Sequence, residues 1–238
     1  MSADLPDLEG RTVPSDLFMR LLRPLGRAYL GRRYEVHLHE ADHVPRRGPC
    51  ILACNHIGWL DGPLLSAYAP RPVHALTKRE MFVGATGRLL LATGQIPLER
   101  AEPDPGAVLT CLATLGAGRV VAVFPEGSRG DGELAMVQPG TAYLGMVTGA
   151  PIVPVVMFGT RAPGGHLESV PPPGSRFDVV YGAPVYLERQ PWPRTKAQVR
   201  RTGAELRLRL LDHLERAKAR TGLTLPGPVP TAAVKEER

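Results

Sequence analysis

The feature that most constrains this chain is a recurrence of short strand-like runs, at 34–38, 50–54, 73–77, 120–124, 152–158 and 176–181, separated mainly by stretches with helical spacing. The middle four are almost unbroken apolar sequence. That is how strands buried on both faces look, and intervening helices supply the crossovers that parallel pairing needs. The helical stretches lie at 63–69, 80–91, 105–115 and 140–147. A longer one at about 195–220 sets Val199, Gly203, Leu206, Leu210 and Leu214 in one stripe opposite a strongly basic face. The pattern predicts a single α/β domain with a mixed, largely parallel sheet flanked by helices. An amphipathic helix precedes it from Pro14, with Leu17, Phe18, Leu21, Leu22 and Leu25 at helical spacings, Arg20, Arg23 and Arg27 as bases, and Pro24 limiting it. Such a helix suits either packing on the domain or lying in a membrane interface. The expected division is an N-terminal arm and helix over 1–31, the α/β domain over 32–222, and a disordered tail over 223–238. Within the domain, 162–175 is a proline-rich excursion loop.

Composition narrows the function classes. With 43% apolar residues in 238, the chain has material for a sizeable core, so whole-chain disorder is excluded. Lys and Arg exceed Asp and Glu by 29 to 23, a net charge of +6 that suits nucleic acid, an anionic membrane surface or a phosphorylated substrate. The bases are not interleaved with aromatics, only 5% of residues, and this argues against nucleic acid. Cys50, Cys54 and Cys111 are an odd number in apolar surroundings with no signal-peptide pattern ahead of them, which favours a reduced, cytoplasmic compartment. The longest stretch without a charged side chain, 134–160, is divided by Pro139, Gly140, Gly149, Pro151 and Pro154, so no membrane-spanning helix is expected.

Several site types are absent from the sequence: the phosphate loop, the dinucleotide fingerprint, and the serine-hydrolase elbow, since Glu126-Gly127-Ser128-Arg129 lacks the leading glycine. His37, His39 and His43 resemble a metal cluster, but His37 and His39 alternate with Val36 and Leu38 as the solvated face of a strand would, and no metal is expected. The positive signal is Asn55-His56-Ile57-Gly58-Trp59-Leu60-Asp61, directly after the 50–54 run. A neutral imidazole can take a proton from an attacking hydroxyl, and a carboxylate on its other ring nitrogen fixes the tautomer. His37 and Asp42 repeat the same spacing, so spacing alone decides nothing. His56, however, lies where a buried strand hands over to a helix, the usual place for α/β sites. Five residues along a helix turn through 500°, so His56 and Asp61 meet only if the chain loops through Gly58. The alternative is a satisfied loop histidine with Asp61 as an N-cap. A second signal is Phe124-Pro125-Glu126-Gly127-Ser128-Arg129, again after a buried run: Gly127 lets backbone N–H groups approach an anion, Ser128 can donate, and Arg129 can grip phosphate. Lys78 and Arg100, the latter ending Gly94-Gln95-Ile96-Pro97-Leu98-Glu99-Arg100, are further candidates for a shared anion site.

Together these blocks, with the Pro-containing strand at 151–156, resemble the glycerolipid acyltransferase family, the 1-acylglycerol-3-phosphate acyltransferases and their relatives. The resemblance covers about 34–160. It implies His56 as general base, Asp61 as its orienting partner, Arg100, Arg129 and more weakly Lys78 as phosphate ligands, and Glu126, Gly127 and Ser128 as shaping the acceptor site. The implied reaction moves a fatty acyl group from a thioester of coenzyme A or acyl carrier protein to the free hydroxyl of a lysophospholipid, 1-acylglycerol-3-phosphate first among them, with no acyl-enzyme and no cofactor. Many relatives carry Lys where this chain has Gln138, which bears on the acceptor headgroup. The implied location is peripheral, on the inner face of the cell membrane. The competing class is a noncatalytic phospholipid- or phosphate-binding module on the same fold. Phosphate binding alone needs neither His56 nor Asp61, and the presence of both favours the enzyme.

Overall fold

A computed structural model of the chain describes Pro6, Leu8 and residues 10–230. Seven strands, β1 (Glu35–His39), β2 (Cys50–Cys54), β3 (Val73–Lys78), β4 (Ile96–Leu98), β5 (Val120–Val123), β6 (Ile152–Phe158) and β7 (Arg176–Tyr181), form one sheet in the order β1-β7-β6-β2-β5-β3-β4. All neighbours run parallel except β6 and β7, so the sheet is mixed and largely parallel. Alternation along the central strands sends side chains to two separate cores. Ile51, Ala53, Val121, Val123, Ile152 and Val156 face one; Cys50, Leu52, Cys54, Val120, Ala122, Val153 and Val155 face the other. The first core is covered by α4 (Pro105–Gly116), α5 (Gly140–Thr148) and α6 (Lys196–Thr221), the second by α1 (Leu17–Arg33) and α2 (Asp61–Tyr68). The remaining helix, α3 (Gly84–Ala92), leads into β4.

Helix ends follow local chemistry. The side chain of Asp104 accepts from the Ala107 N–H to cap α4, with Pro105 in the first turn where its missing N–H costs nothing. Thr195 and Gln198 form a reciprocal capping box that starts α6. The helix expected at 80–91 is a short 3₁₀ turn at Arg79–Met81 followed by α3.

Two expectations are corrected and one open alternative is narrowed. Pro24 does not limit α1, which runs on to Arg33. The helix is clamped instead: Arg23 donates to the Ala69 carbonyl and Arg27 Nε donates to Ala67 O at 2.7 Å, so guanidinium groups satisfy carbonyls that the end of α2 leaves open. The apolar stripe, which suited either packing or a membrane interface, is mostly not the buried face. Met19 and Leu30 are buried, whereas Leu17, Leu21 and Leu25 are 64%, 64% and 66% exposed, with Phe18 and Tyr29 beside them. Since Leu30 packs in the core, α1 is continuous with the domain. The third concerns the tail. Residues 223–230 fold back after α6, with Leu225 in the core shared with α4 and α5; residues 231–238 lie outside the described residues.

Candidate active site

Because β2 to β6 are mutually parallel, their C-terminal ends lie on one edge of the sheet, and every sequence-selected site residue sits there: His56 after β2, Lys78 at the end of β3, Arg100 after β4, and Glu126 to Arg129 after β5. Asn55 extends β2 through its side chain, Oδ1 accepting from the Met157 N–H at 2.8 Å and Nδ2 donating to Met157 O at 3.1 Å. The chain then turns through Gly58 into α2, whose first residue is Asp61. A side chain at Gly58 is excluded, since a Cβ there would lie 2.4 Å from Thr160 O.

This turn brings His56 Nδ1 and Asp61 Oδ2 to 2.7 Å. The carboxylate has no proton to give, so Nδ1–H donates and Nε2 is left as the basic ring nitrogen. Asp61 is completely buried. The same Oδ2 accepts the backbone N–H groups of Ile57 at 2.7 Å and Gly58 at 2.9 Å, and Oδ1 accepts the Thr160 hydroxyl. Every donor to this carboxylate is an uncharged group or the imidazole, so its negative charge is held without a direct ion pair to arginine or lysine. The Phe124 ring stacks on His56 at 4.1 Å between centroids and fixes the other face of the imidazole. The competing pair shows no such arrangement: among the described residues no hydrogen bond or ion pair joins His37 to Asp42.

The loop after β5 is tied to the dyad twice. The Gly130 N–H donates to His56 O at 2.8 Å, and Glu126 Oε1 accepts the His56 N–H at 2.9 Å. Burial, aided by Asp131 and Asp61, pushes the Glu126 carboxyl up to about 7. Gly127 takes φ +78°, a left-handed conformation open to glycine at no steric cost. Arg100 Nη1 donates to Gly127 O at 3.0 Å, so the base after β4 reaches this loop. Ser128 is exposed at its tip. Gln138 packs on the turn, its Cγ 3.4 Å from where a Gly127 Cβ would stand. Arg129 points toward the excursion loop, Nη1 donating to Leu167 O at 3.2 Å and Nη2 lying 3.6 Å from Glu168. Lys78 Nζ lies 3.4 Å from Glu80.

A family model for acyltransferases matches residues 35–158, just over half of the chain. The chain belongs to the acyltransferase family. Among curated proteins it is similar to the 1-acyl-sn-glycerol-3-phosphate acyltransferase of Bacillus subtilis, 27% identical over 132 residues, a match covering 55% of this chain and 66% of that one. It is also 28% identical over 132 residues to a chloroplastic 1-acyl-sn-glycerol-3-phosphate acyltransferase of Brassica napus, covering 53% and 38%. The matched region spans less than two thirds of either relative. The fold is shared with the crystal structure of the 1-acyl-sn-glycerophosphate acyltransferase PlsC from Thermotoga maritima, at TM-score 0.61 and 20% identity over 83% of this chain and 79% of that chain. All the sequence-selected residues lie inside the acyltransferase match. Two that sequence reasoning passed over, Thr160 and Arg161, lie just beyond it, and the one signal for them was their position directly after the buried run that became β6.

His39 departs from its expected solvated role. Its Nε2 lies 2.7 Å from Oδ1 of Asp178, which is buried on β7, because β1 and β7 pair in parallel and bring the two side chains together. His43 Nδ1 lies 3.0 Å from Tyr181 O.

Proposed function

We propose that the protein acylates the free hydroxyl of a lysophospholipid, with 1-acylglycerol-3-phosphate as acceptor and an acyl thioester of coenzyme A or acyl carrier protein as donor. The observation that carries this reading is the His56–Asp61 pair, with its carboxylate buried under four hydrogen bonds and the imidazole Nε2 left as the base. The acceptor oxygen attacks the thioester carbonyl carbon while Nε2 takes its proton. The C–S bond then breaks, and the leaving thiolate recovers that proton from the imidazolium. Asp61 stabilises the imidazolium between the two transfers. The products are the new ester and a free thiol; the step balances with no cofactor and no metal. Arg100, Arg129 and Lys78 are the acceptor's phosphate ligands. Arg129 exchanges its weak contact with Glu168 for phosphate, while Glu126, Gly127 and Ser128 shape the loop around it.

Among the described residues no helix is long and apolar enough to cross a membrane. The acceptor is amphipathic, and we assign its delivery to a peripheral contact with the anionic inner face of the cell membrane, made by the exposed Leu17, Phe18, Leu21, Leu25 and Tyr29 of α1 with Arg20 and Arg32 near the headgroups. The basic face of α6 lies in the opposite layer of the fold and cannot share that contact.

The experiment is mass spectrometry of products from a panel of lysophospholipids incubated with acyl-CoA or acyl carrier protein donors. Phosphatidic acid formed by the wild type and the His37→Ala variant, and abolished in His56→Ala, supports the proposal. Phospholipid binding without turnover would establish a noncatalytic module instead.

A further inference from the structure

Arg161 follows β6 and is 1% exposed, yet no ion pair with a carboxylate is formed by its guanidinium among the described residues. Its N–H groups go to four backbone carbonyls from four segments: Nε to Ile57 O at 2.8 Å, Nη1 to Gly165 O at 2.9 Å, and Nη2 to Gly130 O at 3.0 Å and Gly227 O at 2.8 Å. Burying a guanidinium against neutral partners alone is costly, so a polar group this deep calls for a purpose other than packing. Its partners supply one. Ile57 immediately follows His56, and Gly130 is the residue whose N–H holds the His56 carbonyl. The guanidinium therefore grips the residue that follows the base and the residue whose N–H holds the base's carbonyl, and through Gly227 it draws the segment after α6 onto them. Asp61 and Asp131 favour its charge from nearby.

We propose that Arg161 is a positioning residue for acyl transfer, locking the His56 loop, the loop after β5 and the 225–227 segment into the one arrangement in which His56 reaches the acceptor hydroxyl. The inference rests on His56 being the base. A planar fork is required, because donors must leave in several fixed directions; a lysine ammonium radiates three from one point.

The test compares Arg161→Lys and Arg161→Met with the wild type, as full chains, by steady-state kinetics with 1-acylglycerol-3-phosphate and acyl-CoA and by NMR of the histidine ring N–H signals. A misplacement of about 1 Å costs on the order of 10²-fold in rate, so kcat should fall by about that factor while both KM values stay within a few-fold. The His56 ring N–H signal should be lost or broadened while that of His39, held by Asp178 on the far side of the sheet, stays sharp. Lysine should not rescue either readout. Wild-type kcat in the Lys variant, an unchanged His56 signal, or equal broadening at His56 and His39, which marks general loosening, would each overturn the proposal. If Arg161→Met does not fold, Arg161→Lys decides alone. Should the wild type transfer no acyl group, the function assigned above falls, and the NMR comparison still decides what Arg161 holds.

Discussion

Asp61→Asn separates charge from shape at the centre of the site. The carboxylate accepts from His56, Ile57, Gly58 and Thr160 and is completely buried. Alanine would orphan four buried donors at about 1–3 kcal/mol each, comparable with the ~5–15 kcal/mol that holds a whole domain together, and would report only unfolding. Asparagine is isosteric. Its Oδ1 can still accept the three N–H bonds and its amide can donate to the Thr160 hydroxyl, so exchanging charged for neutral hydrogen bonds should cost about 1–3 kcal/mol, visible as a lower thermal midpoint of a protein that still folds. Catalysis should suffer far more. Among the described residues no arginine or lysine hydrogen-bonds to Asp61, though Arg161 lies close enough to feel its charge, so the imidazolium that forms as the hydroxyl is deprotonated is its one directly bonded cation. In the analogous serine-protease arrangement the same Asp-to-Asn exchange, which removes the charge and disturbs the histidine tautomer, costs about 10⁴ in rate, or about 5 kcal/mol in the transition state. The assay is kcat with 1-acylglycerol-3-phosphate and acyl-CoA, alongside circular dichroism to verify folding. A folded Asp61→Asn enzyme retaining more than about a tenth of wild-type kcat would refute the argument. So would an Asp61→Asn, His56→Ala double variant much slower than His56→Ala alone, since the two residues act as one unit.

Three further outcomes are expected. Arg129→Ala should raise the KM for the phosphorylated acceptor about tenfold or more, each tenfold being about 1.4 kcal/mol, and leave the donor KM nearly unchanged; equal damage to both substrates would reject the phosphate role. Glu126 binds its proton more tightly folded than unfolded, so its ionisation costs stability that is absent below about pH 4.5 and fully present above about pH 7, on the order of 3 kcal/mol. Glu126→Gln keeps the acceptor for the His56 N–H and removes that cost, so urea titrations should show its advantage over wild type growing from pH 5 to pH 8, and a flat difference would count against it. In co-sedimentation with anionic vesicles, Leu21→Asp and Leu25→Asp should weaken binding while Arg200→Glu and Arg201→Glu on α6 leave it nearly intact; the reverse pattern would put the membrane on the other face.

The strands and the dyad were legible in the sequence for related physical reasons. A parallel strand buried on both faces has to be an apolar run, and a functional loop has to follow the end of one, so 50–54 and 120–124 located both the sheet and the site. The face of α1 was not legible, because periodicity shows where apolar residues lie and is silent on which side is covered. Met19 and Leu30 are inside because Arg23 and Arg27 find open carbonyls at the end of α2, a tertiary event with no local pattern. The return of the chain after α6 rests on Leu225, with Leu223 beside it, and on the Gly227 carbonyl that accepts from Arg161, within a proline-rich stretch that otherwise resembles a tail. Arg161 was illegible for the same kind of reason: its partners are main-chain carbonyls, which every residue has.

The structure also shows why a histidine–carboxylate contact by itself does not identify a catalytic centre. His56–Asp61 and His39–Asp178 have the same separation, 2.7 Å, the same fully buried carboxylate, and side-chain exposures of 21% and 23% at the imidazole. What differs is where the charge goes. Arg176 grips Asp178 through Nε at 2.7 Å and Nη2 at 2.8 Å and holds its carboxyl below the ordinary range, so the negative charge is already spent on a neighbour of its own strand. Asp61 is held by N–H and O–H dipoles, which fix its position and leave the charge to act on the ring. Location reinforces the difference. His39 lies on β1, at the margin of the sheet, beside no phosphate-binding candidate, whereas the backbone of His56 is tied to the loop after β5 that carries the left-handed turn at Gly127 with Arg100 bound to it. A pair whose carboxylate carries no direct ion pair, on the edge of the sheet where the candidate phosphate ligands gather, fits the reading proposed above of proton transfer from a phosphorylated alcohol. Of the two pairs, His56–Asp61 meets both conditions.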